Sequence, residues 1–127
     1  MENRPAHARP DYDEQRSVTY QVTYRNVLGL KTARLLSVNF QRLQAVIAER
    51  ENGKPVVVLP ASQIRMAIPS ENVATQVTIL TPGATRECYK VWVDELEQHR
   101  VQQIIRDLNQ LVQLQQDLLA EQTMGAK

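Results

Sequence analysis

The stretch SVTYQVTY, residues 17–24, constrains this chain more than any other. Val18, Tyr20, Val22 and Tyr24 alternate with Ser17, Thr19, Gln21 and Thr23. A strict period of two built from β-branched and aromatic residues fits a strand with one face on a core and the other in water. A helix would scatter those four apolar side chains around its circumference. The chain must therefore contain a sheet, and its other elements must cover one face of it. The two tyrosines carry hydroxyls that need partners if they are buried.

A second periodicity supplies the cover. In VQQIIRDLNQLVQLQQDLL, residues 101–119, apolar residues return at helical spacing. A heptad register puts Val101 and Leu108 at a, Ile104, Leu111 and Leu118 at d, and Ile105, Val112 and Leu119 at e. The next a position is Gln115, and Leu114 lies off the main stripe. A stripe of d plus e is wider than a bare coiled-coil seam. It predicts a helix over 94–122 that packs on its own domain and on a second surface, with a coiled-coil pairing as one form of that contact. Glutamine fills much of the rest. Amides can cross-bond at a partly buried contact without the desolvation cost of charges. Val101, Ile104, Ile105, Leu108, Leu111, Val112, Gln115, Leu118 and Leu119 are accordingly the candidate partner-binding residues, for a second copy or another protein.

Between these elements the patterns are shorter. Over 30–50, Leu36, Phe40, Leu43 and Ile47 fit one helical face, while LSVNFQ also alternates strictly. The reading taken is helix over 31–43, then a strand over 44–50 paired with 55–59 across a turn at Asn52-Gly53. A helix running on to Arg50 with Asn52-Gly53 as its C-cap is the alternative. PVVVLP, bounded by Pro55 and Pro60, reads as a strand buried on both faces. Alternation at Ile64, Met66 and Ile68, at Val73, Thr75, Val77 and Ile79, and at Tyr89, Val91 and Val93 marks further strands. The expected fold is α+β: a small, mostly antiparallel sheet of about five short strands, one internal helix and a long C-terminal amphipathic helix. Residues 1–16, with two prolines and mixed charge, and 123–127 are expected to be disordered, around a β-rich core over 17–93.

Composition narrows function by exclusion. The 127 residues carry a net charge of +1, which argues against a surface that is basic all over. Cys88 is the one cysteine, and His7 and His99 are far apart, so no metal-ligand spacing appears and no internal disulfide can form. No phosphate-binding glycine loop, nucleophile motif or cofactor signature is present. The expectation is a cytoplasmic, non-enzymatic binding or adaptor protein without a membrane span, metal or cofactor.

TARLLSVNFQRLQAVIAERENGKPVVVLPASQI, a quarter of the chain, resembles the helix, strand, NGKP, strand pattern of the Phd/YefM antitoxins. That resemblance implies a dimeric operator-DNA binder that uses its C-terminal segment on a toxin. Arg34, Arg42, Arg50 and Lys31 would then be the DNA-facing residues. The family's helix after the hairpin is replaced here by the strand-like ASQIRMAIPSENVATQVTILTPG, and three arginines spaced by eight do not make a tight helical stripe. Strands followed by a long helix are also similar to PilZ-type barrels, but that family's arginine pair and Ser/Gly ligand motif are absent. A DNA-binding regulator is thus the second functional reading.

Overall fold

The computed structural model describes residues 17–26, 28–50 and 53–125, with side chains up to 122. The expected tail over 1–16 lies outside the described residues. Seven antiparallel strands form one sheet: β1 (Ser17–Arg25), β2 (Lys31–Asn39), β3 (Gln44–Ala48), β4 (Pro55–Pro60), β5 (Met66–Pro69), β6 (Gln76–Leu80) and β7 (Cys88–Trp92). Their order is β4-β3-β2-β1-β7-β6-β5. One helix, α1 (Arg100–Gly125), follows a short 3-10 turn at Glu95–Glu97.

The alternation in β1 is realised as the sequence requires. Tyr20, Val22 and Tyr24 are buried, and Ser17, Thr19 and Gln21 face out. β1 pairs along its whole length with β2, from Ser17↔Asn39 to Arg25↔Lys31, and more briefly with β7. Buried side chains from both halves of the sheet form one cluster, among them Leu36, Ile47, Ile79 and Val91. A single sheet can enclose such a core only by coiling over on itself, which the natural twist of strands permits. Helix α1 closes the open side along β5, reaching β2, β6 and the 3-10 turn at Ala61–Gln63.

The helix expected over 31–43 is instead strand β2. Leu36 and Phe40 belong to both a four-residue and a two-residue period, so they could not discriminate. Val38 could: it lies roughly 200° from Leu36 on a helix, yet it is fully buried beside it. The nine-residue pairing with β1 outweighs the helix propensity of Ala, Leu and Arg. Leu43, in the turn after β2, adopts a left-handed φ of 55°.

Seven strands stand where about five were expected. PVVVLP is not buried on both faces: β4 is an edge strand, with Val56 and Val58 43% and 46% exposed. Its two prolines and a register shift opposite Ile47/Ala48 suit an edge, where a missing N–H breaks no ladder. The β3–β4 hairpin exists, but Glu49 N–H donates to the Lys54 carbonyl and Gly53 N–H to the Arg50 carbonyl. Gly53 is thus bonded back to Arg50, while Glu51 and Asn52, the latter half of the expected Asn52-Gly53 turn, lie outside the described residues. β6 begins at Gln76, so Val73 and Thr75 lie in the preceding turn. The helix expected over 94–122 spans Arg100–Gly125, with the Asp94 side chain accepting from Leu96 N–H ahead of it.

Candidate functional site

Alternating strand directions send the loops after β1, β3 and β6 to the same end of the sheet. Arg25, Lys31, Arg50, Lys54, Arg86 and Lys90 are exposed in or beside these loops. Among the described residues there, only Glu49 and Glu87 oppose them. Asp94, Glu95 and Glu97 follow β7 at the opposite end. A chain of nearly zero net charge is thus polarised along its strands, and a local field of this kind steers association.

The tip between β1 and β2 is rigidly built. Asn26 N–H donates to the Leu30 carbonyl at 2.8 Å, and Gly29 N–H to the Asn26 carbonyl at 2.9 Å. The Asn26 side-chain oxygen accepts from Leu28 N–H and Leu30 N–H at 2.9 and 3.0 Å. Gly29 takes φ of 85°, a conformation costly for any residue with a Cβ. Every polar group so tied leaves the apolar side chains outside: Leu28 is 80% and Leu30 61% exposed. Both leucines stand exposed at the same end of the sheet as the cations.

Beside the tip, β1 and β7 pair only at Thr23↔Trp92 and Tyr24↔Val91 and then part. The gap is a cleft of about 470 Å³ between Arg25 and Asn26 on one wall and Arg86, Cys88 and Lys90 on the other, with Tyr24 and Trp92 also lining it. Arg86 Nη1 donates to the Tyr24 hydroxyl at 2.9 Å, and its guanidinium lies 5.6 Å from the Tyr89 ring centre. On the other side of the tip, Arg34 is bound through Nη1 to the Ala33 carbonyl at 2.8 Å, while its buried Nε has no partner. Among the described residues no group of three His, Cys, Asp or Glu could hold a metal. Among the described residues no helix is long and apolar enough to cross a membrane.

The residues expected to bind a partner divide in two. Val101, Ile104, Leu108, Leu111 and Val112 are buried against the chain's own sheet, and Ile105 packs at the margin of that core. Leu114, set aside as off-stripe, is buried as well. Gln115 is half-buried, while Leu118 and Leu119 are 38% and 50% exposed. The wide stripe is therefore used mostly within the domain, because a strongly coiled sheet offers the helix a broad concave seat. Of the basic residues considered for DNA, Lys31, Arg34 and Arg50 stand toward the loop end, whereas Arg42 lies in the β2–β3 turn at the other end. The tip leucines and the cleft had no periodic signal: NVLGL is too short to show one, and the cations of the site come from three separate loops.

Compared with protein-family models and with curated proteins, the sequence matches none. Its fold does have solved counterparts. The solution structure of the PH domain of human oxysterol-binding protein-related protein 11 is similar with a TM-score of 0.62 and 20% identity, over 77% of this chain and 81% of that chain. A chain of the crystal structure of SifA and SKIP is similar with a TM-score of 0.56 and 12% identity, over 76% of this chain and 97% of that one. At these identities the likeness establishes the architecture: a PH-domain-like fold, seven antiparallel strands closed by a C-terminal helix.

Proposed function

We propose that this chain is a non-enzymatic binding module that docks its loop end on an anionic membrane surface. The observation that carries the reading is the presence of Leu28 and Leu30, two exposed leucines between β1 and β2, at the same end of the sheet as six exposed cations. Each cation held near an anionic leaflet is worth about 1 kcal/mol, and the leucines add apolar contact below the headgroups. A nucleic acid would use the cations but leave the leucines in water, so a lipid surface fits better. The PH-like fold is compatible with such a role.

Co-sedimentation tests this. The chain should pellet with phosphatidylcholine vesicles containing phosphatidylserine and stay in solution with pure phosphatidylcholine, and salt should weaken the binding. Leu28→Ser/Leu30→Ser should reduce vesicle binding by more than tenfold while leaving retention on heparin unchanged. Equal vesicle binding by parent and double variant would refute the wedge. Salt-sensitive binding to duplex DNA without vesicle binding would favour the regulator reading.

A protein contact through the end of α1 is a second reading, favoured by one observation. Leu118 and Leu119 are exposed on a helix that runs on to Gly125, past Leu114, the last buried residue among the described side chains. That face would take a second copy or a protein partner, with Gln115 at its margin.

A further inference from the structure

Two like charges face each other directly across the β1–β2 pair: Arg25 and Lys31 are register partners on the outer face, one rung from the tip. Such a pair is destabilising in a sheet. What lies with them is Trp92, the only tryptophan of the chain. Lys31 Nζ is 4.2 Å and the Arg25 guanidinium carbon 5.5 Å from the centre of its ring. Both distances fall within the range where the negative face of an indole attracts a cation.

Resting on the membrane-docking reading, we infer that Trp92 is a positioning residue that holds Arg25 and Lys31 in a binding-ready arrangement for the phosphate or carboxylate groups of anionic lipids. The ring itself is fixed. Its Nε1 donates to Gln76 Oε1 at 3.1 Å, and Gln76 Nε2 donates in turn to Thr78 Oγ1 at 3.1 Å. Gln76 and Trp92 are also register partners between β6 and β7, so the anchor comes from the strand pairing. The indole therefore has one orientation, and the cations gather against it.

The contact arranges the cations without satisfying them. A lysine ammonium has three donors and an arginine guanidinium five. Arg25 spends one on the Gly29 carbonyl, through Nη1 at 2.7 Å, which ties its head to the back of the tip. The remaining donors stay available to an incoming anion. Free Lys and Arg side chains lose much rotamer freedom when they bind, and a side chain already held against a ring loses less. The tip leucines, the two cations and the ring thus form a preorganised unit across β1, β2 and β7. An anion bound between the cations also removes the repulsion that their pairing otherwise costs.

The test uses the full chain and phosphatidylcholine vesicles with and without phosphatidylserine. Trp92→Leu, which removes the ring, should weaken binding to the anionic vesicles about fivefold or more, roughly the loss of one well-placed cation. Trp92→Phe keeps a cation-attracting face and should bind within about twofold of the parent. In an Arg25→Gln/Lys31→Gln background, Trp92→Leu should have no further effect, because its action runs through those two residues. Gln76→Leu, which frees the indole while leaving the core alone, should show a smaller loss in the same direction and serves if Trp92→Leu does not fold. In the parent, the Lys31 side-chain methylene protons nearest the ammonium should be shifted upfield by the ring, and Trp92→Leu or Lys31→Arg should abolish the signal. Parent-like binding by both Trp92→Leu and Gln76→Leu, or a loss that persists without the cations, would overturn the inference while leaving membrane docking intact. Failure of the parent to bind anionic vesicles would instead overturn the docking reading and this inference together.

Discussion

Tyr20 and Asp107 join the first strand to the last helix, 87 residues apart, through a hydrogen bond from the tyrosine hydroxyl to Asp107 Oδ2. Both residues are nearly excluded from water, at 5% and 7% exposure. Burial, followed by the hydrogen bond and the charge of Asp107, pushes the Tyr20 hydroxyl well above the ordinary tyrosine range, although Arg106 and Arg100 pull the other way. Tyr20→Phe removes the donor and leaves a carboxylate oxygen in a dry site, a loss of about 1.5–3 kcal/mol near neutral pH. The pH dependence is the sharper test. Below pH 10 the tyrosine is protonated in both states, and its contribution is complete. Above pH 10 the unfolded chain releases the proton while the folded chain keeps it, so stability falls as pH rises. A group with an ordinary pKa of about 10 in the unfolded chain and a much higher one when folded loses about 1.4 kcal/mol by pH 11. Urea denaturation of parent and Tyr20→Phe from pH 8 to 11 measures this, because contributions common to the two proteins cancel in their difference. The gap between the two curves should be constant up to about pH 9 and close by about that amount at pH 11. A constant gap across the range would refute the claim that Tyr20 stays protonated in the fold.

Three further outcomes follow from the packing of the helix. Asn109 lends its amide to the free edge of β5, accepting from Ala67 N–H at 2.8 Å and donating to the Ala67 carbonyl at 3.1 Å, so Asn109→Ala should lower the unfolding free energy by about 1–3 kcal/mol, and an unchanged urea midpoint would show that the edge does not need the amide. Leu111→Ala should cost about 2–5 kcal/mol as a core deletion, whereas Leu118→Gln/Leu119→Gln should leave the midpoint within about 0.5 kcal/mol and lower the molecular mass seen by light scattering if the helix end pairs with a second copy; a double variant that keeps the parent's mass would remove that contact.

The Asn109 contact also shows why part of the amide-rich helix could be read only after folding. Helical periodicity in 101–119 was legible because the repeat is longer than two heptads and lies on one face. Whether that face meets the chain's own sheet or another molecule depends on how much concave surface the sheet presents, and that follows from the coiling of seven strands. Leu114 is the sharpest case. Its position off the stripe was plain in the sequence, yet it is buried in the core cluster.

By itself, the sequence determined the elements whose periods are unambiguous. These are β1 with Tyr20, Val22 and Tyr24 inward and a long final helix, since alternation and 3.6-residue repeats are local properties of backbone geometry; the β3–β4 hairpin was one of two readings, the other being a helix on to Arg50. Only the tertiary structure decided that 31–39 is a strand, that PVVVLP lies at an edge, and that Arg25, Lys31, Arg86, Lys90 and Trp92 share one end of the molecule. Leu36 and Phe40 satisfied two periods at once, and the choice between them came from a partner strand. The cations and the ring are as much as 67 positions apart, and they meet because β1 pairs with β2 on one side and with β7 on the other.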